Sequence, residues 1–345
     1  MPSPVIPLHA ASKSTLLSTI VNASQEPHPP LVLGFDIGGT STKLGLVNPA
    51  GQIANFRRFP TRAKGTDPQP YLIELLDHIR SVMREARGPL IGIGMSLHGY
   101  VDEARRGPIL CPNTPALSGF DLRGLIEDEF GLPVAVNNDL TAHVLAEYHY
   151  GSGQGTRRFL CMAMGTGLGA GVIINGEPLR YVGGCAGDTG HIILEPGGPA
   201  CSAGCRGCAE ALVGVDGIER LGRERYGHEV PAHQIIAAAR RGDDPLAADI
   251  MRQIGSYVGQ TLASLSVMFL PERIALTGGT AEAGSVLLEA CRARFEALVG
   301  DYHRTLVTME PGYHPGVEIV FGRTRGETGV LGAAVELLRP YLPAP

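Results

Sequence analysis

Apolar runs separated by glycine-rich breaks recur along this chain, and their order predicts its architecture. The run Leu31–Phe35 ends on Asp36, Gly38-Gly39-Thr40 follows, and Leu44, Leu46 and Val47 lead away. This reads as a strand, a turn and a second strand. Ile53–Phe59 fits a third strand after the turn at Asn48–Gly51. Leu72, Leu75, Leu76, Ile79, Val82 and Met83 recur at helical spacing. Pro89–Gly94 reads as a buried strand ending near Ser96, and Leu97–Leu117 as a loop with three prolines. A helix over Asp121–Phe130 is stopped by Gly131 and Pro133, and the short strand Val134–Val136 delivers Asn137, Asn138 and Asp139 to the start of a helix over Thr141–His149.

The second half repeats this order. Phe159–Ala163 is apolar, Met164–Gly171 turns, and Val172–Ile174 continues as a strand into the hairpin signal Asn175-Gly176. Beyond a cysteine-rich loop come a long helix over Pro245–Phe269, the strand Ile274–Leu276, the turn Thr277–Thr280 and a helix over Ala281–Leu298. The strand Val317–Val320 and the helix Gly329–Leu338 close the pattern. Two α/β domains facing a shared cleft are expected, since ligand groups gather at the carboxyl ends of strands and between domains. The expected divisions are a mobile tail over 1–30 with an amphipathic piece at Thr15–Val21, a small domain over 31–145 joined by a C-terminal helix over 325–345, and a large domain over 146–324.

Composition narrows the classes. The 345 residues carry 44% apolar and 18% charged side chains, as a globular protein of two domains would. A net charge of −5 offers no basic footprint for nucleic acid. No apolar run is long enough for a bilayer, and residues 1–30 lack the features of a signal peptide, so a cytoplasmic location is expected. Seven cysteines do not make a disulfide framework, but Cys185, Cys201, Cys205 and Cys208 lie in one segment and suggest metal.

Three glycine turns follow apolar strands: Gly38-Gly39-Thr40, Gly165-Thr166-Gly167 and Gly278-Gly279. Two would hold the phosphates of a nucleoside triphosphate and the third would back the nucleoside. Any one alone also fits an ordinary tight turn, in a chain with 47 glycines. Adjacent glycines allow positive φ and close approach of a ligand. Asp36 can hold Mg²⁺ through water, with Lys43 beside the phosphates. Asp139 is the candidate general base for a hydroxyl, and Asn138 can orient that hydroxyl; the Asn-Asp pair also fits a helix cap.

These signatures together resemble the ROK family (repressors, open reading frames and kinases) within the actin, hexokinase and Hsp70 fold. The matching residues are Asp36–Thr40, Asn138-Asp139, Gly165–Gly169, Gly187–His191, Cys201 to Glu210, and Gly278-Gly279, within a resemblance running from about Leu31 to Leu338. The resemblance implies two ribonuclease-H-like domains, ATP with Mg²⁺, and a sugar acceptor. It implies Asp139 as catalytic base, with Asn138, His191 and Glu210 on sugar hydroxyls, Asp188 in the place of a usual glutamate, and Gly99 and Asn113 near the same pocket. It further implies a homodimer or homotetramer, and a structural zinc held by His191 and three cysteines. One cysteine is displaced: Ala203 stands where the family has it, and Cys205 lies two positions later. Cys₃His chemistry still suits zinc.

Three departures bear on the acceptor: Asp188 for Glu, Asn137 for the Glu before Asn-Asp, and His98 with Tyr100 in a loop that commonly carries proline. His98 and Tyr100 could shape the pocket wall, although a lone loop histidine is more often solvated. The expected activity is ATP-dependent phosphorylation of a hydroxyl on a hexose or hexose-like polyol, with a C7-cyclitol as the alternative acceptor. A sugar-sensing regulator is the competing class. Such regulators carry a DNA-binding module ahead of the first glycine loop, for which the 30 residues before Leu31 are too few.

Overall fold

The Leu31–Val47 stretch folds as the hairpin its pattern predicts. In the computed structural model, which describes residues 28–181, 183–309, 316–324 and 326–343, β1 (Leu31–Ile37) and β2 (Ser41–Val47) pair antiparallel, with Asp36 opposite Lys43. The expected helical piece at Thr15–Val21 lies outside the described residues. β3 (Ile53–Pro60) adds to β2. α1 (Gln69–Arg84) buries Tyr71, Leu72, Leu75, Ile79 and Val82, the stripe expected of an amphipathic helix. β4 (Leu90–Leu97) then runs parallel to β1. The stretch read as a loop over Leu97–Leu117 contains a small hairpin, β5 (Tyr100–Val101) with β6 (Pro108–Leu110), and a 3₁₀ turn at Pro115–Leu117. α2 (Leu122–Phe130) starts where Asp121 accepts the Gly124 N–H at 2.8 Å and stops at Gly131, at φ +63°. β7 (Val134–Asn138) is longer than expected and carries Asn137 and Asn138 within the strand; α3 (Asp139–Tyr150) follows at once.

The second half is built alike: β8 (Arg158–Met164), β9 (Leu168–Ile174) and β10 (Glu177–Pro178), the last two joined through Asn175 and Gly176, both at positive φ. The turn before β9 is shorter than the glycine pattern suggested, because the strand resumes at Leu168. Four helices come next: α4 (Ala209–Val213), α5 (Val215–Tyr226), α6 (Ala232–Arg241) and α7 (Pro245–Phe269). β11 (Arg273–Thr277) leads to a 3₁₀ turn at Gly279–Ala283. The helix read as starting at Ala281 instead begins after Gly284, whose φ of +75° ends that turn, as α8 (Ser285–Met309). β12 (Glu318–Phe321) and α9 (Thr328–Leu338) complete the order. The last helix is thus shorter than the expected 325–345 span; a 3₁₀ turn at Arg339–Tyr341 follows it, and residues 325, 344 and 345 lie outside the described set.

The two sheets have the same order, β3-β2-β1-β4-β7 and β10-β9-β8-β11-β12, with the second strand of each half antiparallel to the first and the fourth and fifth parallel. Each half has its own apolar core. The helix closing each half, however, packs across: α3 lies on β8 and β9, and α9 on β1 and β4, while the two cross each other between the sheets. The boundary expected after residue 145 therefore falls inside α3. Glycine lets α9 approach both α3 and β4 closely. A Cβ on Gly332 would stand 1.7 Å from the Ala142 carbonyl oxygen, and one on Gly94 would stand 2.0 Å from that of Ala333. Among the described residues no helix is long and apolar enough to cross a membrane.

Glu147 ties α3 to the segment before α9. Its carboxylate is fully buried and accepts from the Ser152 N–H (2.9 Å) and hydroxyl (2.7 Å), the Arg323 N–H (3.1 Å), and the Thr324 N–H (2.7 Å) and hydroxyl (2.5 Å). Burial alone would raise its pKa, but the donors from Ser152, Thr324 and Arg323 outweigh it and hold the carboxyl below its ordinary value. A lowered folded pKa means that the stabilisation is present above the unfolded value of about 4.3 and is lost as pH falls through the folded one.

Two outcomes follow for denaturant unfolding. Gly332→Ala should cost about 1–3 kcal/mol, because the clash is with backbone that cannot rotate away. Glu147→Gln should cost on the order of 2 kcal/mol at neutral pH, and its gap to the wild type should shrink in acid. A pH-independent gap would refute the second expectation.

Candidate active site

The helix that crosses between the sheets also presents its first residue to the cleft. Asp139 opens α3, with its side chain 30% exposed. Its Oδ1 accepts the Leu140 N–H at 2.9 Å, and its Oδ2 lies 3.2 Å from His98 Nδ1. Asn138 is the N-cap: Oδ1 accepts from the N–H groups of Leu140 (2.9 Å) and Thr141 (3.4 Å), and Nδ2 donates to the Gly99 carbonyl at 2.7 Å. The capping role is thus realised, and it fixes Asp139 in place. Gly99, at φ +95°, turns the chain so that its carbonyl meets Asn138. His98 Nε2 stands 2.8 Å from Asn113 Nδ2, and Asn113 packs on Gly39, where a Cβ would come within 2.5 Å of it. One line of contacts therefore joins Asp139, His98, Asn113 and the first glycine turn.

Asp36 is held at the end of β1. Its Oδ1 accepts from the Ser96 hydroxyl at 2.9 Å, and its Oδ2 is 3.8 Å from Lys43 Nζ, which also donates to the Gly326 carbonyl at 3.2 Å. The Gly38 N–H donates back to the Ser41 carbonyl at 3.2 Å, and Thr40 is exposed at the turn. Neither Gly38 nor Gly39 takes positive φ; what this turn needs from glycine is the close approach of Asn113.

Across the cleft the other two glycine turns line one cavity. Gly165, Thr166, Gly279 and Thr280 form part of a space of about 500 Å³, with Val215, Ala232, Ile236 and Ala237 as apolar wall and His233, Arg240, Arg241 and Glu282 at polar positions. A Cβ on Gly165 or Gly279 would meet open space. Gly278 takes φ +86°, which suits glycine, and packs on the Met164 carbonyl. The α6 wall was not foreseen. Its helical spacing is visible in Ala232, Ile235, Ile236 and Ala239, but the pattern does not say that part of the face lines a cavity.

Gly167 lies under Glu210, whose Oε2 accepts the Leu168 N–H at 3.2 Å from the start of α4. His191 ends a 3₁₀ turn and aims both ways: Nδ1 lies 3.2 Å from Cys205 Sγ and 3.7 Å from Cys201 Sγ, and Nε2 lies 3.9 Å from Asp188 Oδ1. His191, Cys201, Cys205 and Cys208 bring one ligand atom each within 4.8 Å of the others. Tetrahedral zinc, with Zn–S near 2.3 Å, places sulfurs about 3.8 Å apart; Cys201 and Cys205 stand at 3.3 Å. The displaced cysteine therefore still joins a converging Cys₃His set. Cys185 does not: its Sγ lies 3.6 Å from the Gly187 carbonyl.

The three departures separate in space. Tyr100 hydrogen-bonds Asp188 across the cleft, and this bond pushes the phenol up to about 12. Asn137 belongs to interlobe packing. Its Oδ1 accepts from Arg180 (2.8 Å) and Arg105 (3.3 Å), and both guanidinium groups pair with Glu336 of α9. His98 faces Asp139.

A model of the ROK family matches residues 32–338. The glucokinase of Halalkalibacterium halodurans is 32% identical over 281 residues, covering 77% of this chain and 85% of that protein. Among solved structures, the ROK hexokinase from Thermus thermophilus superposes with a TM-score of 0.75 at 31% identity, covering 88% of this chain and 97% of that one. A ROK family glucokinase from Streptomyces griseus, in complex with glucose and AMPPNP, gives 0.72 at 28% identity, covering 90% and 99%.

Elemental analysis of the purified chain should find about one zinc per molecule. Cys205→Ser should release most of it and lower the melting temperature; protein that is folded and free of zinc would discard the site.

Proposed function

The chain belongs to the ROK family, and on that premise we propose that it is an ATP-dependent kinase of a hexose or hexose-like polyol, with Asp139 as the general base. The observation that carries this reading is the placement of Asp139. Its carboxylate stands at the start of α3, which Asn138 caps, partly open to the cleft, held by the Leu140 N–H and reached through His98 and Asn113 from the first glycine turn. Glucokinases among the relatives, and a relative holding glucose and AMPPNP, support the same class.

The chemistry asks the protein mainly for positioning. The acceptor hydroxyl gives its proton to Asp139 as its oxygen bonds the γ-phosphorus, and the bond from that phosphorus to the β–γ bridging oxygen breaks to release ADP. Asp188, Glu210 and the Nε2 side of His191 are the groups that would hold acceptor hydroxyls. The cavity at Gly165, Thr166 and Gly279 would take the nucleoside, and Lys43 would face the phosphates. Mg²⁺, which Asp36 would hold through water, supplies charge neutralisation of the phosphate oxygens. Zinc on Cys201, Cys205, Cys208 and His191 would fix the loop that carries His191 and leads into Glu210. Closure of the two lobes over the acceptor would exclude water and align the reacting groups.

One observation favours a second acceptor class. Asp188 is shorter than the family's glutamate, and Tyr100 engages it across the mouth of the pocket. A rim altered in this way would suit a carbocyclic hexose analogue such as a C7-cyclitol.

Asp139→Asn should lower kcat by about 100- to 10,000-fold while leaving acceptor binding largely intact. Turnover at the wild-type rate would remove Asp139 from the mechanism. ATP consumption measured across hexoses, N-acetylhexosamines and C7-cyclitols identifies the acceptor, and no consumption with any of them would sink the kinase reading.

A further inference from the structure

The geometry points to His98 as a positioning residue for Asp139, one whose own protonation gates the base. This rests on the reading of Asp139 given above and adds a residue to it.

The imidazole is held at both ring nitrogens. Nδ1 lies 3.2 Å from Asp139 Oδ2, and Nε2 lies 2.8 Å from the Asn113 side-chain amide. Its backbone is pinned as well: the His98 N–H donates to the Ile37 carbonyl at 3.4 Å, and the His98 carbonyl accepts from the Cys111 thiol at 2.7 Å. The side chain is 36% exposed, yet both ring nitrogens are engaged. The other oxygen of Asp139 is taken by the Leu140 N–H, so His98 controls the oxygen that is not tied to the helix.

The Asn113 amide, oriented with Nδ2 toward the ring, makes Nε2 the acceptor and leaves the proton on Nδ1, which donates to Asp139. That neutral tautomer orients the carboxylate without pairing it to a full charge. A second proton on the ring would turn the contact into an ion pair, and the imidazolium would then compete for the carboxylate that must receive the acceptor's proton. The charged groups facing the ring are Asp139 from α3 and Asp36 from β1, with Lys43 beside Asp36. The hydrogen bond to Asp139, with the charges of Asp139 and Asp36, outweighs burial and raises the histidine above its ordinary 6.5. The reaction's proton still ends on Asp139; no bond to His98 forms or breaks.

The test compares His98→Asn, His98→Ala and Asp139→Asn with the wild type across pH. Asparagine can place an amide N–H near the position of Nδ1 but does not titrate. For the wild type, kcat/KM for the acceptor should fall about tenfold for each pH unit below the histidine's pKa. His98→Asn should lose that limb and stay within about threefold of wild-type kcat in mild alkali, while His98→Ala should lose about tenfold or more in kcat with little change in acceptor KM. An unchanged acid limb in His98→Asn would overturn the proposal, even if His98→Ala proved too unstable to assay. Asp139→Asn separates the two levels. If it turns over like the wild type, the base assignment fails. If it is inactive while both His98 variants match the wild type in rate and pH profile, only the role of His98 fails.

Discussion

Everything in this molecule is arranged around the crossing of α3 and α9. Each helix closes one half of the chain and packs on the sheet of the other, so the inner face of each sheet is covered with help from the opposite half. The crossing is close because Gly332 meets the Ala142 carbonyl, and α9 lies close on β4 because Gly94 meets the Ala333 carbonyl, both at separations no side chain could share. Contact between backbones is stiff, since there is no rotamer that can relieve it. Glu147 reinforces the junction by gathering donors from Ser152, Arg323 and Thr324 onto a buried carboxylate. Glu336, with Arg105 and Arg180, adds an ionic cluster spanning both halves.

The same crossing positions the chemistry. α3 begins at Asp139, and α9 begins beside Asp36, where Gly329 packs directly on the carboxylate. The carboxylate read as the base and the one read as the magnesium group are thus set by the helices that join the lobes. A substitution at the crossing would shift both groups relative to the two glycine turns across the cleft.

Around that frame, the residues read from the sequence as departures from the family pattern each have a partner. Asn137 shares with Glu336 the same pair of arginines. Asp188 is reached by Tyr100 from the opposite lobe. His98 stands in the loop beside Asp139. The displaced Cys205 still meets His191 and Cys201.

The sequence by itself determined the element order, because periodicity and glycine punctuation are local properties; Pro245–Phe269 is a helix end to end, and the two halves share one strand order. It also offered the candidate groups: the cysteines by their clustering, Asp139 by its place after a strand, and His191 through the resemblance of its motif. Tertiary structure alone decided who meets whom. Nothing along the chain says that α3 serves the other sheet, that Ala232, His233 and Ile236 line a cavity, or that His98 lies against a residue 41 positions away. Those pairings arise from burial of apolar faces across long loops, a constraint set by the whole packed volume and not by any window of residues.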